Sequence, residues 1–149
     1  MKHYSTALLT ALCALVFAAN VGFAGTLFTG KLITEEGEAL IGATVLIPGT
    51  AITTLTDIDG FFQIEIPDGT DELYISIGCF GDNTMSWCGQ EVGLVVAYGK
   101  RGPVSYDVNG RSSCDLHLRS RKSKRFAANH YEELLAYRDQ MASASNTSQ

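Results

Sequence analysis

The chain has 149 residues, of which 46% are hydrophobic and 9% aromatic, and its formal net charge at pH 7 is −5. This composition excludes an intrinsically disordered chain and predicts a folded protein. Once the N-terminal segment described next is removed, about 125 residues remain, which is enough for one domain with a modest core.

Residues 1–24 have the pattern of a signal peptide. Lys2 and His3 form a short positive start, and an apolar run extends from Ala7 to Ala19. A helix of that length cannot cross about 30 Å of hydrocarbon, so we expect no membrane-spanning segment to be retained. Small residues at positions 22 and 24 predict cleavage between Ala24 and Gly25. The mature protein is therefore expected outside the cytoplasm, either in the periplasm or secreted.

Short strands separated by turn residues are predicted in the first half of the mature chain. They cover Thr26 to Thr34, Ala43 to Ile47, Thr53 to Thr56, Phe62 to Ile66 and Leu73 to Ile77. Before the fourth strand, Asp57-Ile58-Asp59-Gly60 predicts a tight hairpin in which Gly60 takes a positive φ without steric cost. Residues 81–89 are expected to be irregular. Weaker strand candidates follow at Gly93 to Tyr98, Val104 to Val108 and Asp115 to Leu118.

The fourth and fifth predicted strands alternate strictly between apolar and polar positions, which is the pattern of a half-buried strand. Their inward side chains are predicted to be Phe62, Ile64, Ile66, Leu73, Ile75 and Ile77. Turn signals recur about every 8–12 residues, and no helix-length pattern occurs before the end of the chain. The sequence therefore predicts an all-β fold, an antiparallel β-sandwich, followed by a C-terminal helix.

Charge is distributed unevenly along the chain. Between residues 30 and 91, eleven acidic residues stand against Lys31 alone, a net charge of −10. Between residues 100 and 125, eight basic residues stand against Asp107 and Asp115, a net charge of +6. The basic segment either folds against the acidic part of the same chain, which we favour, or binds an acidic partner.

Three cysteines, Cys79, Cys88 and Cys114, remain after the signal peptide with its Cys13 is removed. In an oxidising compartment they predict one disulfide and one remaining thiol, and three pairings are open. Cys79 with Cys88 closes the shortest loop, whereas Cys88 with Cys114 joins the irregular region to the last strand. The alternative is three buried, reduced cysteines.

Residues 119–149 differ in character from the domain predicted at residues 25–118. Arg119 to Arg125 is predicted to be a basic linker, because like charges at this density resist compaction. A helix is expected next, with Asn129 as its N-cap and Glu132 completing an approximate capping box. One face of it carries Ala127, Tyr131, Leu134, Leu135, Arg138 and Met141. Residues 142–149 are predicted to be disordered.

A family resemblance lies in the glycine and Asp-Gly signals between residues 30 and 81. The chain has Leu40-Ile41-Gly42-Ala43, Gly49-Thr50, Thr56-Asp57 and Asp59-Gly60, with Phe62 after them. This pattern resembles the carboxypeptidase regulatory-like domain, which is common in secreted and envelope proteins of the Bacteroidetes group. The resemblance implies a seven-stranded, transthyretin-like (prealbumin-like) sandwich. It also implies a module that accompanies metallocarboxypeptidases, TonB-dependent transporters or surface proteins and rarely carries catalysis itself.

Three motifs resemble known functional sites, but each lacks a feature that such a site needs. Asp57 to Gly60 begins like a calcium loop, but Phe61 occupies a ligand position and no glutamate stands at the twelfth position. His130 and Glu133 have the His-x-x-Glu spacing of zinc carboxypeptidases, but no further histidine follows. The basic run around Arg121 is not accompanied by an aromatic platform for nucleic acid. We therefore expect no metal, no cofactor, no nucleic-acid binding and no enzymatic activity.

Two functions remain as hypotheses. The first is an accessory module that docks a protein of the envelope or cell surface. Its candidate docking residues are Arg119, Arg121, Lys122, Lys124, Arg125, Tyr131, Leu134 and Leu135. The second is a sandwich that binds a small ligand or a glycan around Trp87, Tyr98 and Tyr106, although a tryptophan beside a cysteine is more often a packed anchor.

Overall fold

The structure is a computed structural model that describes residues 24–78, 81–114 and 121–147, with only the backbone of Lys100. The predicted signal peptide up to residue 23, Cys79, the predicted strand at residues 115–118 and Arg119 lie outside the described residues.

Eight strands and one helix build the described part of the chain. The strands are β1 (Gly25–Thr34), β2 (Thr44–Leu46), β3 (Thr53–Leu55), β4 (Phe61–Pro67), β5 (Glu72–Ile77), β6 (Gly81–Ser86), β7 (Val92–Tyr98) and β8 (Gly102–Tyr106). A 3-10 turn (Gly99–Arg101) joins β7 to β8, and the helix is α1 (Arg121–Thr147).

The strands form two four-stranded sheets, sheet A with the order β4-β1-β7-β8 and sheet B with the order β3-β2-β5-β6. The prediction of a β-sandwich followed by a helix is confirmed. The prediction of seven antiparallel strands is wrong, since the described residues form eight strands and β1 pairs parallel to β7, with Thr29 opposite Val92. Between these two strands the chain forms β2 and β3 in sheet B, β4 in sheet A, and β5 and β6 in sheet B.

The main core lies between the two sheets. All six side chains predicted to face inward are buried, and the rings of Phe28 and Phe62 meet edge to face with their centroids 5.6 Å apart. Gly30 is needed here, because a Cβ atom on it would lie 2.3 Å from the Phe62 ring. Burying these aliphatic and aromatic side chains supplies the main favourable free energy of folding.

The turn at Asp57–Gly60 connects the two sheets. The Asp57 carboxylate accepts hydrogen bonds from the backbone N–H groups of Asp59 and Phe61, each at 2.9 Å. Gly60 has φ 80°, as predicted, and a Cβ atom on it would lie 2.5 Å from the Leu32 carbonyl oxygen. The turn is tight, but the predicted hairpin is wrong, because β3 belongs to sheet B and β4 to sheet A.

The second half of the domain is more regular than predicted. Residues 81–86, expected to be irregular, form β6, which pairs along its whole length with β5. The weaker strand candidates at residues 93–98 and 104–108 correspond to β7 and β8. β8 ends at Tyr106 because Asp107 begins a second turn of the Asp57 type, accepting hydrogen bonds from the N–H groups of Asn109 and Arg111.

A disulfide joins Cys88 to Cys114, whose Cα atoms are 5.4 Å apart. This was one of the pairings that the sequence left open, and it excludes the shorter loop from Cys79 to Cys88. The bond ties the segment after β6 to the segment after β8. A disulfide fits a protein that works outside the cytoplasm. Within the described residues, no helix has the length and apolar character needed to cross a membrane.

The helix α1 begins earlier than predicted. Residues 121–125 are helical and not a linker, and Asn129 lies inside the helix, so it is not an N-cap. Residues 142–147 continue the helix and are exposed, where disorder was expected. The N-terminal turns form despite their like charges because they pack on the domain. The Ser123 hydroxyl donates a 2.9 Å hydrogen bond to the carbonyl of Gly110.

Candidate binding surfaces

The helix α1 crosses the outer face of sheet A from one edge to the other. Its first turn contacts Gly110, just after the edge strand β8, where a Cβ atom would lie 2.6 Å from the Lys124 backbone. Farther along, Tyr137 stacks on Phe61 of β4, the opposite edge strand. Between these ends, Phe126 joins a second apolar cluster with Ile33, Leu94, Val96 and Tyr106.

The exposed cations at the start of α1 form the first candidate surface, which we call the basic surface. It consists of Arg111, Arg121, Lys122, Lys124 and Arg125, all exposed. Arg111 belongs to it because it follows Gly110, which touches Lys124. The sequence did not single out Arg111 as a docking residue, since ten positions separate it from Arg121.

The basic segment folds against its own domain beside an acidic turn, because a Cβ atom on Gly37, between Glu36 and Glu38, would lie 3.2 Å from the Phe126 ring. No ion pair joins Arg121, Lys122, Lys124 or Arg125 to another described side chain, although the Arg125 guanidinium lies 5.9 Å from the centre of the Phe126 ring. The start of α1 also lacks acidic residues in its first turn. Positive charge there adds to the positive end of the helix dipole, so an acidic partner would relieve unfavourable electrostatics.

The apolar residues of α1 that are predicted to dock a partner pack mainly against the domain itself. Leu134 is completely buried, and Tyr131 and Leu135 are half-buried. Burial and the negative charge of Asp107 raise the pKa of Tyr131. Leu134 is therefore unavailable to a partner, and the helix holds the basic surface rigidly on the domain.

The second candidate surface is a groove of about 580 Å³ at the other edge of sheet A, which we call the corner groove. It lies between the Asp57–Gly60 turn and the later turns of α1. The residues that line it are Lys31, Asp57, Asp59, Phe61, Glu133, Ala136, Tyr137 and Gln140.

One wall of the corner groove is built from stacked aromatic rings and an ion pair. The rings of Phe61 and Tyr137 are nearly parallel, with centroids 4.6 Å apart. Lys31 lies with its Nζ 4.5 Å from the centre of the Phe61 ring and donates a 2.8 Å hydrogen bond to Glu133. That hydrogen bond lowers the pKa of Glu133, while burial and the charge of Asp57 raise the pKa of Tyr137.

The His-x-x-Glu pair on α1 does not form a metal site in the described structure. His130 Nδ1 lies 3.7 Å from the Glu133 carboxylate, which is committed to Lys31. His130 is also partly buried, with 21% of its side chain exposed. Among the described residues, no group of three or more histidine, cysteine or acidic side chains is placed to hold a metal ion.

The aromatic residues considered for glycan binding do not form one surface. Trp87 is 8% exposed, packs in the main core and donates its indole N–H to the carbonyl of Gln90. Tyr98 and Tyr106 lie in the second cluster and share a 2.9 Å hydrogen bond between their hydroxyl groups. Burial raises the pKa of Tyr106. Their ring faces are not jointly open to a sugar.

The motif residues that carried the family resemblance have structural roles. Thr56 accepts a 2.8 Å hydrogen bond from the N–H of Ala43 and donates one to the carbonyl of Leu40. The Thr50 hydroxyl donates a 2.9 Å hydrogen bond to the carbonyl of Ile47. Gly42 and Gly49 have φ of 67° and 76°, which glycine adopts without strain.

Comparison with known families adds to these observations. Residues 28–86 match the CarboxypepD_reg-like domain. The match runs from within β1 to the end of β6, so it supports this domain family for most of the sandwich. The CarboxypepD_reg-like family is generally non-catalytic. Neither the curated proteins nor the solved structures gave a match.

Proposed function

We propose that this chain is a non-catalytic accessory module that works outside the cytoplasm and docks an acidic protein of the envelope or cell surface through the basic surface. The observation that supports this function is the cluster of exposed cations at the start of α1, none of which is ion-paired within the described residues. The CarboxypepD_reg-like match and the disulfide are consistent with this role.

The rigidity of the basic surface favours specific docking. Phe126 and Ala127 are 4% and 0% exposed directly after Arg125, so the backbone that carries the cations is fixed on sheet A. A fixed array of charges loses less conformational freedom on binding than a flexible basic tail does. Attraction between opposite charges accelerates encounter and selects acidic partners, and salt weakens it.

The test is a pull-down from the native envelope fraction with the mature protein as bait. The key variant is Lys122→Glu. The matched control is Arg101→Glu, which makes the same change in net charge at an exposed residue outside the basic surface. We expect the native chain and the control to capture the same protein in low salt, and the key variant to capture at least about tenfold less.

Charge reversal is preferred here to removal of residues 119–149. Without α1, the apolar side chains of Ile33, Leu94 and Val96 on the outer face of sheet A would lose their cover and invite aggregation. Equal capture by the native chain and the key variant, or capture by none of the three proteins, would reject the basic surface as the docking site.

A further inference from the structure

We propose that the corner groove of one molecule binds the basic surface of a second copy of this chain, in a head-to-tail contact. The inference rests on the basic surface described under the proposed function and adds a second partner for it. It concerns the chain's ability to associate with itself, which the docking of an envelope protein does not require.

The two surfaces cannot meet within one molecule. The contact of α1 with Gly110 lies beside β8, and the stacking of Tyr137 on Phe61 lies on β4, at the opposite edge of sheet A. Tyr137 lies thirteen positions after Lys124, a distance of about 20 Å along the helix axis. This spacing exceeds the reach of a lysine or arginine side chain. Only another molecule can bring the two surfaces together.

Charge complementarity selects this occupant. The basic surface carries five positive charges, whereas the corner groove has three carboxylates (Asp57, Asp59 and Glu133) against Lys31 alone. Glu133 is paired with Lys31, and the Asp57 carboxylate accepts hydrogen bonds from the backbone of its own turn. Asp59 is exposed, and its carboxylate has no ion pair within the described residues. It is therefore the principal acceptor for an incoming cation.

The shape of the corner groove suits a long cationic side chain. Its volume of about 580 Å³ accommodates an arginine or lysine side chain. The half-buried ring of Tyr137 offers an aromatic wall against which an arginine guanidinium or a lysine stem can pack. Ile58, at the tip of the same turn, is 76% exposed, and Met141 on the next turn of α1 is 39% exposed. These side chains give the rim apolar area that a second molecule would cover.

When two molecules make this contact, one basic surface and one corner groove of the dimer remain free. Further molecules can therefore add to the dimer and form longer assemblies. The association should therefore increase with protein concentration. It should also weaken between about 0.01 M and about 0.1 M salt, as the screening length falls from about 30 Å to about 10 Å.

The experiment measures mass by sedimentation velocity in low salt for the native chain and two single variants. Lys122→Glu reverses a charge in the basic surface, and Asp59→Lys reverses one in the corner groove. Their matched controls are Arg101→Glu and Asp68→Lys, which change equally exposed residues elsewhere by the same charge. We expect each key variant to associate about tenfold more weakly than the native chain and its own control.

Mixing the two key variants in equal amounts provides the decisive result. Each retains the surface that the other has lost, so the mixture should associate more strongly than either variant does alone. A native chain that stays monomeric in low salt, or a mixture that behaves like its separate components, would overturn the inference. The proposed function is tested independently, because Asp59→Lys leaves the basic surface intact and should still capture the envelope partner.

Discussion

The ion pair between Lys31 and Glu133 links α1 to sheet A and allows a quantitative prediction. The Lys31 side chain is 8% exposed, whereas the Glu133 side chain is 57% exposed. Replacing Glu133→Gln keeps the size of the side chain but leaves a nearly buried ammonium group without its counter-charge. The cost then comes from the desolvated lysine more than from the lost attraction.

The expected loss lies between two limits. Exposed ion pairs contribute about 0–1 kcal/mol, and breaking a fully buried pair costs about 3–5 kcal/mol. This pair has one buried and one largely exposed partner, so we expect Glu133→Gln to lower the free energy of unfolding by about 1–3 kcal/mol at neutral pH. Urea-induced unfolding monitored by circular dichroism measures it directly.

The same pair predicts a dependence on pH. The hydrogen bond from Lys31 lowers the pKa of Glu133 in the folded protein. Its contribution to stability is therefore present above the ordinary glutamate pKa of about 4.3 and is lost as the pH falls through the lower, folded value. The difference in unfolding free energy between the native chain and Glu133→Gln should shrink over this acidic range.

Glu132 provides the matched control for this prediction. It is adjacent and exposed, and its side chain forms no ion pair with another described residue. Glu132→Gln should therefore change the unfolding free energy by less than about 0.5 kcal/mol. Equal losses from the two substitutions, or a difference for Glu133→Gln that does not shrink in acid, would refute the reasoning.

Two further predictions concern the attachment of α1 and the disulfide. Gly110→Ala should cost about 2–5 kcal/mol of unfolding free energy, because its φ is 67° and a Cβ atom would collide with the backbone of Lys124. Gly49→Ala, at φ 76° with open space around it, should cost only about 1–2 kcal/mol, and similar losses in urea unfolding would contradict the close approach of α1. The disulfide closes a sequence separation of 26 residues, so Cys88→Ala, Cys114→Ala and their combination should each lower stability by about 2–4 kcal/mol. A reductant that leaves the urea midpoint of the native chain unchanged would contradict the bond.

The first part of the sandwich could be predicted from the sequence because its signals are local. Apolar residues at every second position, as at Phe62, Ile64 and Ile66, indicate a buried face of a strand, since successive side chains of a strand point to opposite sides. The Asp57 turn is also local, with its hydrogen bonds made within four residues. The sheet that each flanking strand joins is not determined by local residues. For this reason the same turn was predicted as a hairpin, although it links sheet B to sheet A.

The candidate surfaces were only partly predictable for the same reason. The cations from Arg121 to Arg125 are evident in the sequence, but their charge density predicted a linker. Phe126 and the Gly110 contact instead fix these residues in a helix. The corner groove combines Lys31, Asp57 and Tyr137, which are far apart along the chain, and no local pattern indicates that they meet.

The sequence by itself determined where most of the strands from β1 to β5 lie, where the chain turns between them, and that a positively charged segment follows an acidic one. These properties depend on side chains within a few positions of one another. Only the tertiary structure decided that β1 and β7 run parallel, that Cys88 pairs with Cys114, and that α1 lies across sheet A. Those outcomes depend on how distant apolar faces are covered, which no local pattern of residues reports.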